Sequence, residues 1–88
     1  MLSDCNVRPE IAVKELAAAK AFYEGTLGLR LLEENDEEMS FANGNGQLGV
    51  YRSQYAGTNK ATYATWVCDD VESMVESLKG KGVSFVAL

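Results

Sequence analysis

Hydrophobic and polar residues alternate along several short stretches in the first half of the chain, as is typical of β-strands with one buried face. The first stretch covers residues 7–13, where apolar positions alternate with Arg8, Glu10 and Ala12. Pro9 favours an edge position for this strand, because proline has no backbone N–H to donate. The same pattern recurs with Leu48 on the apolar face of a later stretch. Strands are predicted at residues 7–13, 29–33, 39–42 and 47–51.

Two other stretches carry apolar residues at spacings of three and four, which predicts amphipathic helices. The first helix covers residues 15–24, and its apolar stripe is formed by Leu16, Ala19, Phe22 and Tyr23, with core packing expected for both aromatic rings. The second helix has the stripe Val71, Met74, Val75 and Leu78. Asp69 is its expected N-cap, since Glu72 three residues later completes a capping box.

The strand and helix patterns occur twice, in the same order and at nearly constant spacing. Leu16 corresponds to Val71, 55 positions later, and Gly28 corresponds to Gly82, 54 positions later. A strand-helix-strand unit is therefore repeated in tandem within one domain. The predicted organisation is a first module at about residues 5–52, a linker at 53–60 and a partial second module at 61–88.

The second module has its own predicted strands, at residues 61–68 and 83–88. Alternation along the first of them places Trp66 and Cys68 on the side that faces the helix. Trp66 is therefore expected in the core. Cys68 is expected to be a small buried residue rather than a nucleophile, because no histidine is present to activate it.

Composition and charge exclude several classes of function. Thirteen acidic residues against eight basic ones give a net charge of −5, which repels phosphate backbones and anionic lipids. Neither nucleic acid nor a membrane is expected as a partner. The first residues lack the positive and apolar segments of a secretory signal, which favours a cytoplasmic location. The chain has no histidine and two distant cysteines, Cys5 and Cys68, so no thiolate-imidazole zinc site is expected.

Two local motifs have alternative interpretations that involve a ligand. Asn43-Gly44-Asn45-Gly46 is rich in glycine, as a phosphate-binding loop is, but it lies between two predicted strands and so indicates a hairpin turn. The acidic residues 33–38 lack the glycine that a calcium loop needs at its sharp bend. We interpret this segment as a solvated turn.

Several motifs together carry a family resemblance: Leu16, Phe22-Tyr23 and Leu27-Gly28-Leu29, then the glycine-rich hairpin, then residues 66–72 and 82–85. In this order they resemble the vicinal oxygen chelate superfamily of glyoxalases, bleomycin-resistance proteins and extradiol dioxygenases. The resemblance implies an α+β fold. Tandem β-α-β-β-β modules curl a mixed sheet into a cup, with the helices outside and a ligand inside. This chain would supply one full module and about half of the next.

An incomplete second module would leave a sheet edge unpaired, and such an edge favours pairing with another chain. A fragment, an unordered tail and a dimer that closes the cup are three explanations of the incomplete pattern. Truncation together with homodimerisation is the one favoured here.

Catalytic members of the superfamily hold a divalent metal on the cup floor, through a histidine early in a module's first strand and a glutamate late in its last strand. The resemblance places Arg8 and Tyr63 at the two histidine positions and Gly49 at the glutamate position. Arginine has no lone pair to donate and glycine has no side chain. We therefore expect no metal, no cofactor and no catalytic residue in this chain.

Strand alternation identifies the side chains that would line the cup. The predicted ligand-binding residues are Arg8, Glu10, Gln47, Tyr51, Tyr63 and Thr65. Such a lining suits a polar or aromatic organic ligand. The alternative is that Arg8 and Glu10 only pair with each other and that the tyrosines only pack.

The predicted function is the binding of a small organic molecule in a metal-free cup. Two alternatives remain. One is a metal-dependent lyase or dioxygenase that missing strands or a partner chain would complete. The other is a non-catalytic assembly module whose cup holds nothing.

Overall fold

The computed structural model describes residues 1–58 and 64–85. The elements in chain order are a 3-10 turn at Leu2–Asp4, β1 at Glu10–Val13, α1 at Leu16–Lys20, a π-helical segment at Ala21–Thr26, β2 at Arg30–Glu34, β3 at Glu38–Asn43, β4 at Gly46–Arg52 and α2 at Val71–Gly80. The π-helical segment continues α1 and closes with the Leu27 N–H donating to the Phe22 carbonyl, a bond that spans five residues.

The four strands form one mixed sheet in the order β1-β4-β3-β2. β1 runs parallel to β4, while β2, β3 and β4 form an antiparallel meander. The hairpin predicted at the glycine-rich motif is confirmed, because Asn43 pairs with Gly46 across a two-residue turn. Gly44 has φ +61°, a left-handed value that favours glycine.

The hydrophobic core lies between the sheet and α1. Its fully enclosed side chains come from the two central strands and are Phe41, Leu48 and Val50. Ile11 and Val13 of the edge strand pack against this core, as alternation predicted. The Tyr23 ring lies 5.9 Å from the Phe41 ring, centroid to centroid, and so joins the helical layer to the sheet. The predicted α+β class, with a mixed sheet and two helices, is confirmed, and α1 packs on one side of the sheet.

Several boundaries differ from the predicted ones for local reasons. β1 begins at Glu10 rather than at residue 7, since Pro9 cannot donate a ladder hydrogen bond. Asp70, not Asp69, caps α2, and its Oδ1 accepts a 3.0 Å hydrogen bond from the Ser73 N–H. Phe22 was expected in the core but is 40% exposed at the outer side of the π-helical segment.

The strand predicted at residues 61–68 is not present in its described part, residues 64–68, which have no regular secondary structure. A strand requires a neighbour that accepts and donates backbone hydrogen bonds, and no strand within residues 1–58 and 64–85 pairs with this segment. Trp66 is consequently 42% exposed rather than part of the core, and Cys68 is half-buried. Residues 83–85 of the last predicted strand are also irregular, and residues 61–63 and 86–88 lie outside the described part.

Candidate functional site

The face of the sheet opposite α1 carries polar and small side chains, and we call it the polar face. Register places its residues in rows across the strands. In the central row Glu10 of β1 pairs with Gly49 of β4, Gly49 with Ser40 of β3, and Ser40 with Glu33 of β2. The flanking rows contain Gln47, Ala42 and Arg30 on one side and Ala12, Tyr51 and Glu38 on the other.

Arg8 and Glu10 meet at the β1 end of the central row. The Arg8 Nε–H donates a 2.8 Å hydrogen bond to Glu10 Oε1, and Nη2 lies 2.7 Å from the same oxygen. Both side chains are 40% exposed. A pair this accessible to water contributes at most about 1 kcal/mol to stability. The two residues therefore face the same side, as predicted, and they also form the direct pair that was the alternative.

Gly49 lets the Glu10 carboxylate lie directly on the sheet. A Cβ atom at position 49 would be 2.6 Å from Glu10 Cδ and 2.7 Å from Oε1, which is closer than non-bonded atoms approach. The Gly49 N–H donates to the Pro9 carbonyl at 2.9 Å, which holds the two strands together beneath the carboxylate. Residue 49 therefore carries no carboxylate of its own, and the carboxylate that lies above it belongs to Glu10 on the neighbouring strand β1.

A shallow depression of about 340 Å³ adjoins this pair. Arg8, Glu33, Glu38 and Ser40 are among its lining residues. Ser40, which is only 5% exposed, lies at the bottom of the depression. The space above it exists because its side chain is short.

Three residues of this face were not predicted from the sequence: Glu33, Glu38 and Ser40. Glu38 and Ser40 could have been predicted, because they alternate along the strand with Met39 and Phe41, whose side chains are buried on the opposite face. Glu33 had no such signal, because the register shifts between Leu31 and Glu33. A bulge inserts one residue and so moves the following side chain to the opposite face.

The other predicted ligand-binding residues are distributed unevenly. Gln47 and Tyr51 lie on β4, two positions before and two after Gly49, and Tyr51 is 39% exposed. Thr65 is exposed in the irregular segment 64–68 and is not held by a strand. Tyr63 lies outside the described residues. The structure therefore brings Arg8, Glu10, Gln47 and Tyr51 to one face and does not place Thr65 on it.

The electrostatics of the polar face are mixed in sign. On this face the Arg8 charge is compensated by Glu10. Glu34, which also borders the depression, is compensated from the other side of the sheet, because Lys20 of α1 lies 3.0 Å from it. Hydrogen bonding to Glu34 raises the pKa of Lys20, which remains a cation. Glu33 and Glu38 form no ion pair with any residue in the described part of the chain.

The two described positions that the family resemblance assigns to metal ligands do not fit a divalent cation. At the first, Arg8 presents only N–H donors. At the second, Gly49 has no side chain, and the space above it is taken by the carboxylate that neutralises Arg8. Residues 1–58 and 64–85 contain no group of three acidic, cysteine or histidine side chains arranged to hold a metal ion.

Comparison with known proteins gives a family match and a fold match. The family model for the glyoxalase/bleomycin resistance protein/dioxygenase superfamily matches residues 7–87. No curated protein matches the chain. Among the described helices, none has the length and apolar character needed to cross a bilayer.

Solved structures with similar folds share little sequence identity with the chain. A bleomycin resistance determinant encoded on transposon Tn5 superposes with a TM-score of 0.75 at 16% identity, covering 96% of this chain and 70% of that one. A glyoxalase/bleomycin resistance protein/dioxygenase from Alicyclobacillus acidocaldarius gives 0.74 at 17% identity, covering 91% and 65%. A lactoylglutathione lyase from Agrobacterium tumefaciens gives 0.61 at 19% identity, covering 88% and 66%.

Proposed function

Because the chain belongs to the glyoxalase/bleomycin resistance protein/dioxygenase superfamily, we propose that its polar face binds a small organic molecule without the divalent metal of the catalytic members. One observation carries the proposal. At the two described positions where the resemblance expects metal ligands, the chain has an arginine and a glycine, and a carboxylate from β1 fills the space between them.

The chemistry of the polar face supports an organic ligand. Tyr51 offers a partly exposed ring, and Gln47 offers an amide that both donates and accepts hydrogen bonds. At the centre of the face Ser40 has a small side chain and Gly49 has none, so the Gln47 amide and the Tyr51 ring project further from the sheet on either side of it. Small-molecule sites typically combine such ring contacts with a few oriented polar groups.

The structural neighbours include proteins with both kinds of function. A bleomycin-binding protein from Streptomyces verticillus, solved with copper(II)-bleomycin, superposes with a TM-score of 0.52 at 18% identity, covering 56% of this chain and 40% of that one. The lactoylglutathione lyase has an enzyme's name. Because Arg8 and Gly49 cannot act as metal ligands, we favour metal-free binding over metal-dependent catalysis.

The proposal is tested by titrating the ¹⁵N-labelled chain with a library of aromatic and polar fragments and recording amide shifts. Ligands should move the signals of Gln47 and Tyr51. The variants Gln47→Ala and Tyr51→Ala should weaken binding, whereas Gln54→Ala and Tyr55→Ala, exposed residues beyond the end of β4, serve as matched controls.

Elemental analysis separates the proposed function from the enzyme alternative. We expect less than stoichiometric zinc, nickel, iron or manganese in the purified chain, and no thermal stabilisation on adding these ions. A stoichiometric metal that is lost on substituting a residue of the polar face would refute the proposal. So would a fragment library that leaves every amide of that face unmoved.

We also propose that the chain forms a homodimer. The apolar stripe of α2 is accessible to solvent, with Val71 59% and Met74 47% exposed. The outer edge of β1 also lacks a strand partner among the described residues. Sedimentation should give twice the chain mass of 9.6 kDa. Met74→Glu should yield the monomer, while Glu72→Gln on the same helix should not; a monomeric parent chain would refute this proposal.

A further inference from the structure

The Arg8–Glu10 pair leaves part of its hydrogen-bonding capacity unused. Within the described residues, its hydrogen bond and ion pair involve Nε and Nη2 of Arg8 and Oε1 of Glu10, while Oε2 is the carboxylate atom that lies closest to Gly49. A guanidinium has five N–H donors and a carboxylate has two acceptor oxygens. The N–H groups of Nη1 are therefore left for a third group, and so is the side of the 40% exposed Glu10 carboxylate that faces away from Gly49. The pair thus offers donors and an acceptor side by side.

We propose that this pair is the recognition element of the polar face, and that it takes a neutral group carrying a hydrogen-bond acceptor next to a donor, of which a primary carboxamide is the simplest. The inference rests on the proposed function and names the ligand chemistry at that site. The carbonyl oxygen of the carboxamide accepts from the Arg8 guanidinium, and its N–H donates to the exposed side of the Glu10 carboxylate.

Charge decides against an anionic ligand. Glu10 already compensates Arg8, and Glu33 and Glu38 contribute two carboxylates to the depression that Arg8 also lines. Neither of these two has an ion-pair partner in the part of the chain that the structure describes. An oxyanion approaching Arg8 would therefore meet more negative than positive charge, in a protein whose net charge is −5.

The pair also decides against a simple cationic ligand. A cation could approach Glu33 or Glu38. At the Arg8–Glu10 pair, however, it would be repelled by the Arg8 guanidinium and has no atom that could accept a hydrogen bond from the Arg8 N–H groups. A neutral carboxamide uses both halves of the pair and adds no charge to the site. Since hydrogen bonds to charged groups are among the stronger ones in proteins, the paired charges raise the contribution of each bond.

Gly49 and Ser40 provide the space for such a group. The carboxylate rests on the bare Gly49 backbone and is held low on the sheet. The depression of about 340 Å³ opens beside it over Ser40. Gly49 is therefore a positioning residue: it fixes the height of the pair and touches no ligand itself.

The test uses three ligands of nearly identical shape and different charge. Benzamide is neutral, benzoate is an anion and benzamidine is a cation at pH 7. Each is titrated into the ¹⁵N-labelled full chain, with the Arg8 Nε–H and the Glu10 and Gly49 amides as reporters. We expect benzamide to bind about tenfold more tightly than benzoate or benzamidine, the factor that one charge-assisted hydrogen bond provides.

Matched variants connect the binding to the pair. Arg8→Gln should weaken benzamide binding about tenfold. Arg52→Gln removes the same charge and a similar ion pair, with Glu37 at 2.6 Å, and should leave binding unchanged. Gly49→Ala should weaken binding by displacing the Glu10 carboxylate, with the fold checked by circular dichroism. Tighter binding of benzoate or of benzamidine, or equal effects of the two arginine variants, would overturn the inference.

The outcomes also separate this inference from the proposed function. If other fragments move the Gln47 and Tyr51 signals but benzamide does not reach Arg8, only the inference on the carboxamide fails. If no ligand moves any signal of the polar face, both fail.

Discussion

The substitution Gly49→Ala tests the geometry on which the site depends. The new methyl group would occupy the position of the Glu10 carboxylate, with Cδ at 2.6 Å from the added Cβ. The atoms in conflict belong to the end of a flexible side chain and not to the backbone. The carboxylate should therefore rotate away from the sheet, and the Arg8–Glu10 contact should be lost while the strands keep their register.

Two opposing terms set the effect on stability. Loss of an exposed ion pair costs about 0.2–1 kcal/mol. Gly49 does not have a positive φ, so alanine fits its backbone and stabilises by about 0.4–1 kcal/mol through a less flexible unfolded chain. The two terms nearly cancel. We expect the free energy of unfolding to change by less than about 1 kcal/mol.

The assay is urea unfolding of a double-mutant cycle between Arg8→Gln and Glu10→Gln, measured in the parent chain and again in Gly49→Ala. The coupling energy should be about 0.5 kcal/mol in the parent and close to zero in the variant. Hydrogen exchange of the Arg8 Nε–H provides a second measure, because this proton should exchange faster once its acceptor has moved.

Two results would refute this reasoning. A loss of more than about 2 kcal/mol would mean that position 49 conflicts with backbone rather than with a mobile carboxylate. An unchanged coupling energy would mean that Glu10 does not need the space above Gly49.

Three further predictions follow from the fold. Leu48→Ala should lower the free energy of unfolding by about 2–5 kcal/mol in urea titrations, because Leu48 is 1% exposed; Val67→Ala, at a residue 95% exposed, should change it by less than about 0.5 kcal/mol. Asp70→Ala should reduce the helical circular dichroism signal by removing the cap of α2, and Asp69→Ala should not. Burial raises the pKa of Tyr23, so the unfolded state loses its phenol proton first, and stability should fall as the pH rises through the ordinary value of 10.0.

Each of these has a result that would contradict it. Equal stability losses for the first pair of variants would place the core elsewhere. A larger helical loss from the Asp69 variant would restore that residue as the cap. For the phenol, Tyr23→Phe should remove part of the alkaline decrease in thermal midpoint, and an identical pH profile for parent and variant would exclude the buried hydroxyl as its cause.

Sequence alternation predicted the sheet well where one face is buried and the strand is regular. Alternation placed Leu48 on the apolar face, and the structure encloses both Leu48 and Val50. A shift of one residue in register would expose both side chains. Glu33 was missed because a bulge reverses alternation without leaving a sequence signal. The segment 64–68 has the β-branched and aromatic residues of a strand, yet strand formation depends on a partner that lies elsewhere in the chain or outside it.

The site could be predicted only in part for the same physical reason. The shared face of Arg8 and Glu10 was predicted from their spacing of two along extended backbone. The contact between Glu10 and Gly49 depends on how β1 is aligned with β4, a pairing between residues 39 positions apart. No local pattern specifies that alignment. It is set by the combined packing of the core.

The parallel attachment of β1 has a consequence for how the molecule fluctuates. β2, β3 and β4 are joined by short connections, whereas β1, among the described residues, pairs with β4 alone and is separated from it by the longest connection in the sheet. Detachment of this one strand is therefore a partial opening that needs less free energy than global unfolding. A molecule bridging Arg8, which lies just before β1, and Gln47 on β4 would oppose that opening by mass action. Binding of a ligand to the polar face and pairing of β1 with the sheet would therefore be thermodynamically linked.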